Sequence, residues 1–233
     1  MQDLEIIYQD DSIVIINKPH GLLVHRSKIA TNTDVYALQI LRDQINNKVY
    51  PVHRLDRKTS GLLIFALSNE VNKLMQQQFA NNAVVKKYMS IVRGFTPETQ
   101  VIDYELTNEK GKTQSAITQY TTIKTTEIPV PYGKFNTSRY SLIEIQPQTG
   151  RFHQIRKHMA HVRHPIIGDR PHGCNKQNKL FKEKWDMNTM MLHASSIEFV
   201  HPVTNQQLKV AAPYQLEFQR TLKLLQFSDE SRE

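Results

Sequence analysis

The sequence predicts an α+β fold with a mixed or antiparallel core. Three observations predict it. Short apolar or alternating runs recur along the chain and read as strands. Amphipathic stretches with a period of about 3.6 residues lie among them and read as helices. The two kinds follow one another without the regular βαβ alternation of a doubly wound sheet. No linker, low-complexity tract or repeat interrupts residues 1–233, so a single domain is expected.

The elements are justified in order. LEIIYQDDSIVIINKPHG opens the chain as a hairpin of strands 4–8 and 12–17, turned by acidic residues and closed by a Pro-His-Gly break. From residue 34 onward, Val35, Leu38, Leu41 and Ile45 recur at helical spacing, with Thr33 or Asp34 as N-cap. Residues 61–67 are too short for a helix and apolar throughout, as a fully buried strand requires. Ser68 caps a second helix, with Val71, Leu74, Met75 and Phe79 on one face, ending at Asn81-Asn82. Residues 86–93 alternate as a strand that puts Tyr88, Ser90 and Val92 on one side. Strands follow at 115–124 and 139–145 around the EIPVPYGKF loop. GRFHQIRKHMAHVRHP reads as a helix with Phe152, Ile155, Met159 and Val162 inward, basic groups on the other faces, and Pro165 ending it. A Lys-rich segment at 175–186, two short strands within 197–210 and a last helix opened by Pro213 complete the chain.

Composition narrows the chemistry. One cysteine, Cys174, removes disulfide frameworks and CxxC sites. The apolar runs fall far short of the ~20 residues of a membrane span. The acidic start MQDLEIIYQDD lacks the features of a targeting signal, so a cytoplasmic, non-membrane protein is expected. Lys and Arg number 30 against 22 Asp and Glu, a net charge of +8. Residues 151–184 alone carry nine basic and two acidic side chains, nearly the whole surplus. Such a cluster is either a solvated basic face or a site for a polyanion, because grouped Lys and Arg release counterions from a phosphate backbone.

Several sites are excluded. None of the eight glycines is spaced as a dinucleotide fingerprint or P-loop, and no GxSxG elbow is present. His153, His158, His161 and His164 lie close together, but without an HExxH pair and among Arg156, Lys157 and Arg163, which repel a cation. No metal is expected. What remains is VHRLDRKTSGLLIFA, residues 52–66, where a charged segment and a Thr-Ser-Gly turn precede a buried strand. Asp56 at its centre reads either as a turn residue bonding the amides of Thr59 or Ser60, or as a partly desolvated carboxylate with a chemical role. In the second case a cation must keep it ionised, and Arg156 or Arg151 can supply one.

HRLDRKTSGLLIFA resembles the catalytic motif of RluA-type pseudouridine synthases. NKPHGLLVH, KKYMSIVRG, QTGRFHQIRKHMAHVRHPIIGD and LHASSIEFVHP resemble that family's other blocks in the same order, so the likeness spans residues 4–213. It implies the pseudouridine synthase fold, a mixed, largely antiparallel central sheet flanked by helices and loops. It implies an RNA uridine isomerase that needs no cofactor, with Asp56 as the catalytic aspartate, attacking the sugar or abstracting a proton. It implies Arg54 entering the stack where the target base leaves, Tyr88 against the uracil, and Arg156, rather than Arg151, paired with the aspartate. Base extrusion also needs a basic surface for the backbone, to which His53, Arg151, Lys157, Lys179 and Lys182 are assigned.

With the first strand read from residue 4, no basic S4-like module is expected ahead of the catalytic region. The early VHRSK block, the EIPVPYGKFNTSRYSL insertion and CNKQNKLFKEKW are most similar to the family's tRNA-modifying branch. The expected substrate is therefore tRNA, at uridine 65 in the acceptor and T-stem region, and the expected state a monomer. An rRNA target, or a non-catalytic RNA-binding module, are the alternatives. A degenerate module is expected to have lost at least one of Asp56, Tyr88 and Arg156.

Overall fold

The computed structural model describes residues 3–25 and 35–227. They form two compact units, one of Met1–Lys86 with His193–Pro213, the other of Lys87–Leu192 with Tyr214–Glu233.

The first unit begins with β1 (Ile6–Gln9) and β2 (Ile13–Lys18), the expected antiparallel hairpin. Its turn is pinned by Asp10, whose Oδ1 accepts the amides of Ser12 and Ile13 at 2.7 and 2.9 Å. Helix α1 (Ala37–Gln44) follows from the helical repeat, with Tyr36 at its N-cap; Thr33 and Asp34 lie outside the described residues. β3 (Tyr50–Pro51) and β4 (Ser60–Ala66) are antiparallel, and β4 is buried along its whole length, as its unbroken apolar run requires. Helix α2 (Asn69–Ala80) starts where Ser68 Oγ accepts the Val71 amide at 3.2 Å. Its buried face is narrower than the repeat suggests: Val71 and Met75 are buried, Leu74 is exposed.

The second unit contains β5 (Val85–Arg93) from Lys87 onward, β6 (Thr99–Asp103), the small hairpin β7 (Leu106–Thr107) and β8 (Thr113–Gln114), and the long strands β9 (Ile117–Ile128) and β10 (Ser138–Pro147). β10 lies between β5 and β9, β6 closes the edge beside β9, and all three pairings are antiparallel. Helices α3 (Gln154–His161) and α4 (Asn175–Trp185) follow, so the Lys-rich segment is a helix. The chain returns to the first unit through β11 (Leu192–Val200) and β12 (Gln207–Ala211), and α5 (Leu216–Leu224) ends the described part. In the first unit the strand order is β1, β2, β4, β11, β12, with β4 and β11 parallel. Each unit has its own apolar core. Ile13, Leu62, Ile64, Met75 and Phe199 belong to the first, Ile91, Tyr120, Ile143, Met159 and Phe218 to the second. The α+β class and the mixed, mostly antiparallel pairing are as expected. No helix among the described residues is long and apolar enough to cross a membrane.

One expectation about α3 is corrected. Phe152 precedes the helix and is 39% exposed, while Arg156 and His158, placed on outer faces by the sequence pattern, are buried. Each has a partner that offsets the cost of burial: Asp169 for Arg156, and for His158 the Tyr104 carbonyl, 3.0 Å from Nε2.

Candidate active site

In the first unit, β4 positions the HRLDRKTSG segment and the segment's own hydrogen bonds shape it. The Thr59 amide donates to the Asp56 carbonyl at 3.0 Å, making the turn that precedes the strand, with Asp56 half-buried above it. Ser60 and Gly61 lock the strand's start against parallel β11. Ser60 Oγ lies 2.9 Å from Nδ1 of buried His193, whose imidazole burial pulls down to about 4, so the pair is uncharged at neutral pH. Gly61 has φ +104°, and a Cβ there would lie 2.2 Å from the Ala194 carbonyl oxygen. The glycine is what lets two backbones approach so closely.

Beneath the segment sits Lys18, at the end of β2 and fully buried. Its ammonium donates to the carbonyls of Pro19 and Leu22, each at 2.9 Å, and to that of Arg57 at 3.2 Å. A reciprocal pair completes the tie: the Gly21 amide donates to the Arg57 carbonyl, and Arg57 Nε to the Gly21 carbonyl, both at 2.9 Å. The NKPHG loop and the HRLDRK segment are thus fastened through one lysine. Burial pulls its pKa down to about 7, while the nearby Asp56 carboxylate pulls the other way. His20, in the same loop, is pulled down to about 4, first by burial and then by the charges of Lys18, Lys58 and Arg57. The region around Asp56 is cationic.

Of the residues flanking Asp56, Arg54 is exposed. His53 has interior work instead: its Nε2 accepts the Ile64 amide at 3.2 Å and its ring stacks on Phe79 with centroids 4.9 Å apart. Burial, then the charge of Lys86, pulls its pKa down to about 4. These contacts support the loop.

In the second unit, Tyr88 lies on β5 opposite Ile145 of β10, partly buried against the apolar core. Arg156 is held by Asp169 through two parallel bonds, Nε to Oδ2 and Nη2 to Oδ1, each 2.8 Å, with both side chains at most 5% exposed. Such a fork fixes the guanidinium's plane. The loop before α3 is organised by Gln154: its Oε1 accepts from Thr149 Oγ1 at 2.7 Å and the Arg151 amide at 2.9 Å, and its Nε2 donates to the Ile117 carbonyl at 3.0 Å. Arg151 is exposed, with Nε on the Ser115 carbonyl at 3.0 Å, and half-buried Lys157 reaches the Thr107 carbonyl at 3.4 Å. Lys179 and Lys182 project from α4 into solvent, where Lys179 meets Glu183 at 3.6 Å.

Lys18, Asp169 and Gln154 were not singled out from sequence. Asp169 had a signal, as one of two carboxylates among nine cations. Lys18 had one too, a charge ending the run IVIINK.

The comparisons with known proteins agree with this architecture. A family described as RNA pseudouridylate synthase matches residues 12–161. The tRNA pseudouridine synthase C of Vibrio parahaemolyticus is 45% identical over 98% of this chain and 97% of its own length. That of Vibrio cholerae is 47% identical over 90% of each. The structure of human RNA pseudouridylate synthase domain containing 4 superposes with a TM-score of 0.75, covering 95% of this chain and 93% of its own, at 24% identity, a likeness of fold. Matches of this extent, on a chain that keeps HRLDRKTSG ahead of a buried strand, place it in the RNA pseudouridylate synthase family, as a pseudouridine synthase of the RluA type and hence an isomerase.

Proposed function

We propose that this chain converts a uridine of tRNA to pseudouridine, at position 65 in the acceptor and T-stem region, acting as a cytoplasmic monomer. The observation that carries the reading is the setting of Asp56: a carboxylate on a turn tied down by Lys18, at the head of a strand that cannot shift. The reaction breaks the N1–C1′ bond, joins C1′ to C5, releases the C5 proton to solvent and leaves N1 carrying a proton taken up in its place. Asp56 acts on the sugar or on that proton, Tyr88 lies against the uracil, and Arg156, its plane fixed by Asp169, serves the aspartate. Arg54 fills the gap the base leaves. Arg151, Lys157, Lys179 and Lys182 meet the backbone, whose hold offsets the few kcal/mol that unstacking a base costs. The tRNA assignment is supported by the names of relatives that share nearly half of this sequence.

The test is tritium release from RNA carrying 5-tritiated uridine, with the modified position mapped. Unmodified tRNA is expected to release tritium and to gain pseudouridine at the proposed position; release from ribosomal RNA alone would move the assignment there. No release from either would remove the enzymatic reading. Charge reversal at Lys179 and Lys182 is expected to weaken tRNA binding and to flatten its dependence on log salt by about 0.7–0.9 per lost contact. An unchanged slope would place the RNA away from α4.

A further inference from the structure

Beyond the C-terminal end of α3, the second unit contains a cavity of about 440 Å³, lined by Arg93, Gly94, Arg163, His164, Pro165 and His172 among others. Two arginines and two histidines are among the lining residues, and no aspartate or glutamate is. Asp169, to whose Oδ1 the His172 amide donates at 3.4 Å, is not part of the lining and is ion-paired with Arg156. Nor does the negative pole of α3 act on the cavity unopposed. The carbonyls of His158, Met159 and Ala160 each accept a backbone amide, from Val162, His164 and Arg163, at 3.1, 2.9 and 3.0 Å.

The cationic groups are held in place. Arg93 ends β5 with its guanidinium carbon 5.3 Å from the Tyr132 ring centre and Nη1 3.9 Å from Cys174 Sγ. His164 Nδ1 lies 2.9 Å from the Arg93 carbonyl, which only accepts, so Nδ1 carries the hydrogen and Nε2 forms the ring's other polar edge. Gly94 leaves room for that ring, since a Cβ there would lie 3.2 Å from Nδ1. His172 Nε2 lies 2.9 Å from His153 Nδ1. Arg163 is exposed, has the left-handed φ of +67°, and makes no side-chain hydrogen bond or ion pair among the described residues. A metal ion is repelled by the two arginines.

We infer that this cavity is a phosphate subsite that takes one phosphodiester of the substrate RNA's backbone, away from the base being isomerised. The inference rests on the reading of the chain as an RNA-modifying enzyme. Tyr88 and Arg93 are five residues apart on β5, so the subsite lies about 16 Å along the strand from Tyr88.

The test compares tRNA affinity over a range of salt for the full chain and for Arg163→Asn, Arg163→Lys and Arg93→Gln. Asn suits a left-handed backbone and removes the charge. Arg163→Asn and Arg93→Gln, the latter on a strand rather than at the helix end, are each expected to weaken binding by about 3–10-fold and to reduce the salt slope by about 0.7–0.9, with Arg163→Lys near the wild-type value. Inorganic phosphate is the probe for the cavity itself: it should shift the imidazole resonances of His164 and His172 in the wild type and not in Arg163→Asn. Wild-type affinity and slope in both charge-removed variants would overturn the subsite. Phosphate-induced shifts together with unchanged tRNA binding would make it a free-anion site and overturn the RNA assignment. A wild-type chain that isomerises no uridine, yet loses tRNA affinity in these variants, would overturn the proposed activity and leave the subsite standing.

Discussion

Asp56→Asn is expected to lower pseudouridine formation by about 10³-fold or more at saturating tRNA, and to change tRNA affinity by no more than about threefold. The substitution keeps the side chain's size and its place above the Asp56–Thr59 turn, so the segment's fold is not at stake. What it removes is the charge. An amide can neither bond covalently to C1′ as a carboxylate does nor take a proton at neutral pH, so either route through Asp56 is closed. Tritium release in single turnover measures the first quantity and equilibrium binding the second. A variant that isomerises uridine at the wild-type rate would remove Asp56 from the chemistry.

Gly61→Ala is expected to destabilise the chain by about 3–5 kcal/mol, among the largest effects a single methyl can have. Two costs combine. At φ +104° any L side chain is strained, and the new Cβ would sit within 2.2–2.8 Å of three backbone atoms of Ala194. Those atoms belong to a paired strand and cannot swing aside as a flexible side chain would. Gly111→Ala is the control: it shares a positive φ, +77°, but its Cβ would meet nothing within 4 Å. Urea unfolding of both separates the cost of conformation from that of collision. Equal losses would show that β11 yields easily.

Much of the fold was legible because local chemistry decides it. The buried run at β4, the Ser68 cap and the period of α2 are each settled by residues within a few positions of one another. The ordered motifs likewise pointed to Asp56, Tyr88 and Arg156. What the sequence hid depends on partners brought from afar. A burial pattern cannot place Arg156 or His158 inside, because the groups that make burial tolerable, Asp169 and the Tyr104 carbonyl, are 13 and 54 residues away. Lys18 is hidden for the same reason: one of its acceptors is 39 residues distant. The division into two units left no mark either, since one boundary, between Lys86 and Lys87, falls inside β5 rather than in a Gly- or Pro-rich linker.

Lys18 links the stability of the fold to the proton concentration around it. In an unfolded chain its ammonium titrates at 10.5, in the fold at about 7. Between those values the native state binds fewer protons than the unfolded one, so this residue makes the fold more stable as pH rises across the window, by up to about 1.4 kcal/mol per pH unit. Below about 7 the lysine is charged in both states and its full burial cost is present. Lys18→Met is expected to flatten the rise in unfolding free energy between neutral and alkaline pH, and a slope equal to the wild type's would show that the lysine is not its source. The same proton holds three carbonyls together, and a neutral amine has only two hydrogens to give. Through Lys18, alkalinity therefore adds to the stability of the fold while loosening the fastening under Asp56, so this one residue ties those two properties to pH in opposite directions.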